Sequence, residues 1–203
     1  MTTGRLQAFS DGVFAIAITL LVLDIKVPHV AEGQLLAALR HQWPNYAAFL
    51  VSFLVVGIMW VNHHTMLVPC ALVDRALLFL NLGLLMTVVA LPFAAALFAQ
   101  YVRAGADSHV AAAVYGAVMF VAALFFNGIW WWISRGPQLL HEHVDHVAAR
   151  GQLRRFSVGI YVYGATIVLA FISAPITLAV HFAIAVYYVV DRLAVSAGEP
   201  AAA

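Results

Sequence analysis

Charge is what this 203-residue chain has least of. Only 9% of its residues are Asp, Glu, Lys or Arg, against about 25% in a soluble domain. With 65% hydrophobic residues and a mean hydropathy of +0.96, the chain lacks the polar surface to cover a soluble globule. A disordered chain is excluded on the same grounds, and a net charge of +1 gives no field that would attract nucleic acid. Cys70 is the single cysteine, so an intrachain disulfide framework and a thiolate metal site are both excluded. Also missing are a Ser-His-Asp or Cys-His order, a phosphate-binding loop and an acidic pair on one helix face. Neither enzymatic chemistry nor a cofactor is expected.

What remains is long apolar runs. No Asp, Glu, Lys or Arg occurs over the 27 residues 76–102, nor over the 27 residues 108–134. From His41 to Val73 there is again no Asp, Glu, Lys or Arg, and the imidazoles are those of His41, His63 and His64. The 35 residues 156–190 are uncharged as well, too long for one span of about 20 residues. Ser173-Ala174-Pro175 lies in their middle, and proline disfavours helix in the residue before it, so this run reads as two helices. The opening segment counts as a true span rather than a signal peptide: Asp11 and Asp24 bracket its apolar core, Arg5 is its only basic leader residue, and no cleavage site follows. The expectation is an all-α integral membrane protein with six spans near 6–27, 45–68, 76–101, 109–133, 156–173 and 176–194, and a disordered tail over 196–203.

Six spans return both termini to one side. Arg5, Arg75, Arg135, Arg150, Arg154, Arg155 and Arg192 fall on that side, and Lys26, Arg40 and Arg103 on the other. This bias predicts cytoplasmic termini. Trp43 and the Trp130-Trp131-Trp132 run are expected as interfacial anchors. Gly57, Gly83, Gly116 and Gly164 read as close-packing positions.

The first span is the unusual one, because polar groups inside a span are costly. At about 100° per residue, Gly12, Thr19, Leu20 and Leu23 fall within about 60° of Ile16, and Asp11 lies roughly 140° away. Such an aliphatic face with one hydroxyl suits lipid or helix packing. The sharper reading of the same face is a pore wall that closes by dewetting. Periodicity leaves both open.

The stretch Arg5-Leu6-Gln7-Ala8-Phe9-Ser10-Asp11-Gly12 resembles the arginine–x–x–x–phenylalanine–serine–aspartate signature of the transmembrane protein 175 family of potassium channels. The resemblance continues through Thr19-Leu20-Leu21-Val22-Leu23-Asp24, Trp60-Val61-Asn62-His63-His64, Asn81 and Leu91-Pro92-Phe93. It implies a homotetramer in a bacterial inner membrane, conducting potassium passively through a pore lined by the first helix, with no cofactor beyond the permeant ion. The implied constriction is Ile16, Leu20 and Leu23, with Thr19 beside it. The implied anchoring network is Arg5, Phe9, Ser10, Asp11, Trp60, Asn62, His63, His64 and Asn81, with Asp11 expected to meet Asn62, His63, His64 or Asn81. A proton pathway or secondary transporter using Asp11 and the span-two histidines is the alternative.

His63 and His64 point about 100° apart on a helix and cannot chelate one ion together. The stretch His141-Glu142-His143-Val144-Asp145-His146 departs from the His-Glu-x-x-His zinc motif, because Asp145 stands at the second histidine position, and it reads as a polar loop.

Overall fold

A computed structural model describes residues 2–142, 144, 146–151 and 153–197, without the side chains of 137, 146, 148, 154–156 and 187–197. The chain is helical: α1 (Thr3–Leu20), α2 (Leu35–His41), α3 (Trp43–Leu67), α4 (Arg75–Tyr101), α5 (Ala106–Arg135), α6 (His146–Gly151), α7 (Leu153–Ala170) and α8 (Ala174–Ala197). Among the described residues, four helices are long and apolar enough to cross a membrane, the first being α1 extended to Asp24, followed by α3, α4 and α5. Shorter apolar segments cover Ser157–Ala170 and Ala174–Val186. The tail expected over 196–203 lies, from 198 onward, outside the described residues.

The first apolar segment ends earlier than its hydropathy suggests. After Leu20 the α-helix tightens into a 3-10 turn over Leu21–Asp24, and Ile25 is already extended. The freed carbonyls find partners there: Lys26 Nζ donates to Leu23 O at 3.0 Å and Asn45 Nδ2 to Asp24 O at 3.2 Å. Pro28 follows and keeps Val27 out of the helical region. Between α7 and α8 the chain turns at 171–173, directly ahead of Pro175.

Helix α4 is the centre of the bundle. Half of its apolar window is buried within the chain, against 28% for α1. It packs on α1, α3 and α5, while α5 packs on α7. Close approach explains Gly83 and Gly116. A Cβ on Gly83 would collide with the Phe125 ring, and one on Gly116 would come within 3.2 Å of Ile167. Gly164 sits against Phe120. Gly57 has nothing within 4 Å, so packing inside the chain does not account for it. Pro92 lies within α4, buried, and the helix runs through it.

One end of the bundle is knitted together by polar groups. Asp74 caps α4, accepting from Leu77 N at 2.8 Å, as an aspartate at a helix start does. The same carboxylate accepts Trp132 Nε1 at 2.9 Å. Trp130 Nε1 donates to Ala149 O at 3.0 Å, and Thr3 Oγ1 to Cys70 O at 3.1 Å. Cys70 and Leu140 pair as an isolated bridge. The α1 start, α3 end, α4 start, α5 end and α6 are thus on one face. This corrects the reading of the tryptophan run as three interfacial anchors. Trp130 is buried and Trp132 is held by Asp74; their indole N–H groups tie α5 to α6 and to the cap of α4. Trp131 alone of the three is exposed, with Arg135 stacked over its ring at 4.5 Å. At the opposite end Arg103 lies 5.0 Å over the exposed Trp43.

The Gly83 contact can be tested. Gly83→Ala should destabilise the protein by about 1–3 kcal/mol through overpacking. In thermal unfolding in detergent, Gly83→Ala should cost little when it is made in a Phe125→Ala background, although Phe125→Ala carries its own cavity cost. A double variant as unstable as the sum of its singles would place the strain elsewhere.

Candidate functional site

Helix α1 divides lengthwise into two faces. Leu6, Ser10, Phe14 and Ala17 are buried, and Leu21 continues them. These residues span about 80° of arc at 100° per residue and pack against α3 and α4. The face turned away from that contact is open. Ile16 is 61% exposed, Leu20 39% and Leu23 62%, and Thr19 is exposed with them. The four expected constriction residues therefore share the uncovered side of the helix. In the 3-10 turn residues three apart eclipse one another, which keeps Leu23 in line with Leu20. The Thr19 hydroxyl donates to Ile16 O at 2.8 Å.

The buried face is held by a hydrogen-bond chain with one internally consistent direction. Asn81 Oδ1 accepts from His63 Nε2 at 2.7 Å. Asn81 Nδ2 donates to Ser10 Oγ at 3.1 Å. The Ser10 hydroxyl then donates to Leu6 O at 2.9 Å. Each member is at most 1% exposed, and the three come from α1, α3 and α4. His63 thus carries its proton on Nε2, and its buried Nδ1 has no hydrogen-bond partner. The Phe14 ring lies 5.4 Å from the His63 ring.

Asp11 is not part of this chain, contrary to the expectation that it would meet Asn62, His63, His64 or Asn81. Its Oδ1 accepts Trp60 Nε1 at 2.8 Å. The reason is angular. Ser10 lies on the buried arc, and Asp11, about 100° further round, reaches the edge of the contact where Trp60 stands 43% exposed. The expected network therefore divides into a buried Ser10–Asn81–His63 chain and an outer Asp11–Trp60 pair. His64 is exposed, its ring 6.4 Å from that of Trp60. Arg5 is exposed and Phe9 is 54% exposed, so neither joins the buried chain. Asn62 is half-buried.

Two features were missed by sequence reasoning. Gly4, Ala8 and Gly12 are exposed and lie along one ridge of α1 at four-residue spacing, and a Cβ on Gly4 or Gly12 would meet nothing within 4 Å. A second polar cluster surrounds the buried His181 on α8. Its Nδ1 donates to Thr177 O at 2.8 Å, and the Thr166 hydroxyl is 3.5 Å from Nε2. Tyr115 meets the imidazole edge-on at 5.1 Å and shares a 3.1 Å hydrogen bond with Ser52. The signal was present, since each is a polar group in an apolar run. No group of three metal-ligating side chains occurs among the described residues.

Comparisons with known proteins agree on a single family. Residues 5–92 match the family described as endosomal/lysosomal potassium channel TMEM175. A potassium channel of Streptomyces collinus is 54% identical over 201 residues, 98% of each chain. The crystal structure of a lysosomal potassium-selective channel TMEM175 homolog from Chamaesiphon minutus superposes with a TM-score of 0.84 at 38% identity, covering 93% of this chain and 97% of that one. The endosomal/lysosomal proton channel TMEM175 of Gallus gallus is 35% identical over 147 residues, 68% of this chain but 28% of that longer protein.

The two halves of the divided network should behave independently. Asn81→Ala leaves Ser10 and His63 short of buried partners, at about 1–3 kcal/mol for each group left unsatisfied. Asp11→Ala should cost less, because its bond to Trp60 is exposed. In thermal unfolding the double variant should lose the sum of the two single losses. A large coupling between them would mean that Asp11 belongs to the Asn81 chain after all.

Proposed function

The chain belongs to the TMEM175 family, and from that membership we propose that it is a potassium-selective cation channel of a bacterial cell membrane, conducting passively. Helices α7 and α8 are the fifth and sixth spans. An 18-residue helix such as α7 is about 27 Å long, close to the roughly 30 Å of a bilayer core. With six alternating spans both termini lie on the face knitted around Asp74, and the arginine bias makes that face cytoplasmic.

The observation that carries the reading is the uncovered aliphatic stripe of α1. Exposed leucine and isoleucine at this density on the least buried long helix need either lipid or another copy against them. We assign four copies around an axis, with Ile16, Leu20 and Leu23 forming stacked apolar rings. The exposed Gly4-Ala8-Gly12 ridge suits close helix approach beside that axis. Potassium holds its hydration shell less tightly than sodium, so a narrow apolar ring that strips water costs sodium more. No carbonyl filter is required, and no acidic residue sits on the stripe to favour divalent ions. Narrowed further, the same ring dewets and closes.

Thr19 contributes through the bond it already makes. Because its proton is committed to Ile16 O, its oxygen lone pairs are left to face a cation. Back-bonding and ion contact are therefore compatible roles for one hydroxyl.

The alternative proton pathway rests on the longer relatives named proton channels. A relay from Asp11 to the span-two histidines is disfavoured by geometry, since Asp11 bonds to Trp60 while His63 bonds to Asn81.

The test is a reversal potential for purified protein in a planar bilayer, with potassium on one side and sodium on the other. The wild type should reverse far from zero, with the sign that opposes potassium efflux from the potassium side. Ile16→Asn, which replaces an apolar ring by amides, should move the reversal at least halfway to zero. A wild type reversing at zero, or an Ile16→Asn channel with unchanged selectivity, would remove the filter assignment.

A further inference from the structure

Beside the stripe, α1 and α3 enclose a lateral groove of about 360 Å³. Helix α1 contributes Asp11, Phe14, Ala15 and Ile18 to it, and α3 contributes Val56, Gly57 and Trp60. Its walls are apolar except at one end, where Asp11 stands. One carboxylate oxygen accepts Trp60 Nε1, and the other takes no part in that bond. Asp11 and Ile18 are seven residues apart, so the groove runs about 10 Å along the helix. The two helices run antiparallel. Trp60 therefore flanks Asp11 at the end nearer the face of the α1 start, and Val56 and Gly57 flank the deeper end. Gly57 is the position that packing within the chain does not explain: a Cβ there would meet nothing within 4 Å.

We propose that this groove is a binding site for an alkylammonium amphiphile, with its cationic head on the free Asp11 oxygen and its chain lying between Phe14, Ile18 and Val56. Charge complementarity decides the class. A neutral lipid tail leaves the carboxylate facing hydrocarbon, which is costly, and an anionic amphiphile sets like charges together. A cation pairs with the carboxylate without displacing the Trp60 bond. Orientation agrees. An amphiphile in the leaflet keeps its head toward the headgroups and its tail inward, and the groove has its acid at the headgroup end and its apolar walls deeper. Ala15 and Gly57 leave the width a chain requires. A ligand seated there touches both the pore helix and its scaffold, and would stiffen the contact between α1 and α3. This inference rests on the chain spanning a membrane and on the groove side of α1 facing lipid in the assembly proposed above.

The test is equilibrium binding of tritiated octylamine to the protein in nanodiscs, with empty nanodiscs subtracted. Saturable binding at one site per chain is expected, and octanol should compete at least tenfold less well than unlabelled octylamine. Asp11→Asn should weaken binding at least tenfold. Gly57→Leu, which fills the deep end, should abolish it. Ala15→Leu fills the same groove from an exposed position and gives the same readout if Gly57→Leu does not assemble. Non-saturable uptake, equal competition by octanol, or binding untouched by both filling substitutions would overturn the proposal. So would displacement by potassium ions with the filling variants still binding, which would put the amine in the conduction path. Potassium flux through liposomes made from the same protein separates the two readings: flux without octylamine binding sinks the groove alone, and binding without flux sinks the channel alone.

Discussion

The position of α1 depends on one asparagine. Asn81, in the second turn of the most buried long helix, offers its two amide ends to two different helices: the oxygen takes the His63 proton and the nitrogen reaches the Ser10 hydroxyl. All three groups are buried. In a chain that spans a membrane no water can replace these bonds, so the alternative to making them is an unsatisfied polar group in an apolar medium. Apolar packing alone would let a smooth aliphatic helix rotate with little penalty. Three polar groups that satisfy one another in a single orientation do not permit it. Ser10 inward fixes Phe14 and Ala17 inward, and therefore Ile16, Leu20 and Leu23 outward.

That constraint links the signature to the conduction path we propose. Ser10, near the start of α1, is turned inward by its bond to Asn81, and that determines which side of the helix is left free. The outer Asp11–Trp60 pair has a different position, at the rim where α1 meets α3 and beside an unfilled groove. Serine and aspartate are neighbours in sequence, and about 100° of helical rotation gives one to the scaffold and the other to the rim. The far end of the helix follows the same economy. Lys26 and Asn45 donate to the last carbonyls of the 3-10 turn, so the stripe ends with that turn.

Much of the architecture was legible because its signals are local. The scarcity of charge identified long apolar helices, and Pro175 marked the turn ahead of α8. The wheel of α1 separated Ile16, Thr19, Leu20 and Leu23 from Asp11 before any contact was known. The pairings were less legible, because they depend on which helices become neighbours. Asn81, His63 and Ser10 could be named as polar residues at similar depth. That Ser10 rather than Asp11 joins them follows from the angle at which α1 lies on α4, which the sequence of α1 does not contain. Trp130 and Trp132 misled for a related reason. Tryptophan at a helix end resembles an interfacial anchor until Asp74 and the Ala149 carbonyl are found against the indole N–H groups. The cluster around His181 is assembled from α3, α5, α7 and α8, and no single segment announces it.

The most direct test of the central claim is cadmium block of an Ile16→Cys channel in a Cys70→Ser background. Four thiolates on a shared axis make a soft metal site, whereas a residue facing lipid makes none. The account predicts a potassium current that micromolar cadmium blocks and a chelator restores, with the Cys70→Ser parent unaffected. An Ile16→Cys channel that conducts and ignores cadmium would contradict it, and would mean that the free face of α1 looks at lipid.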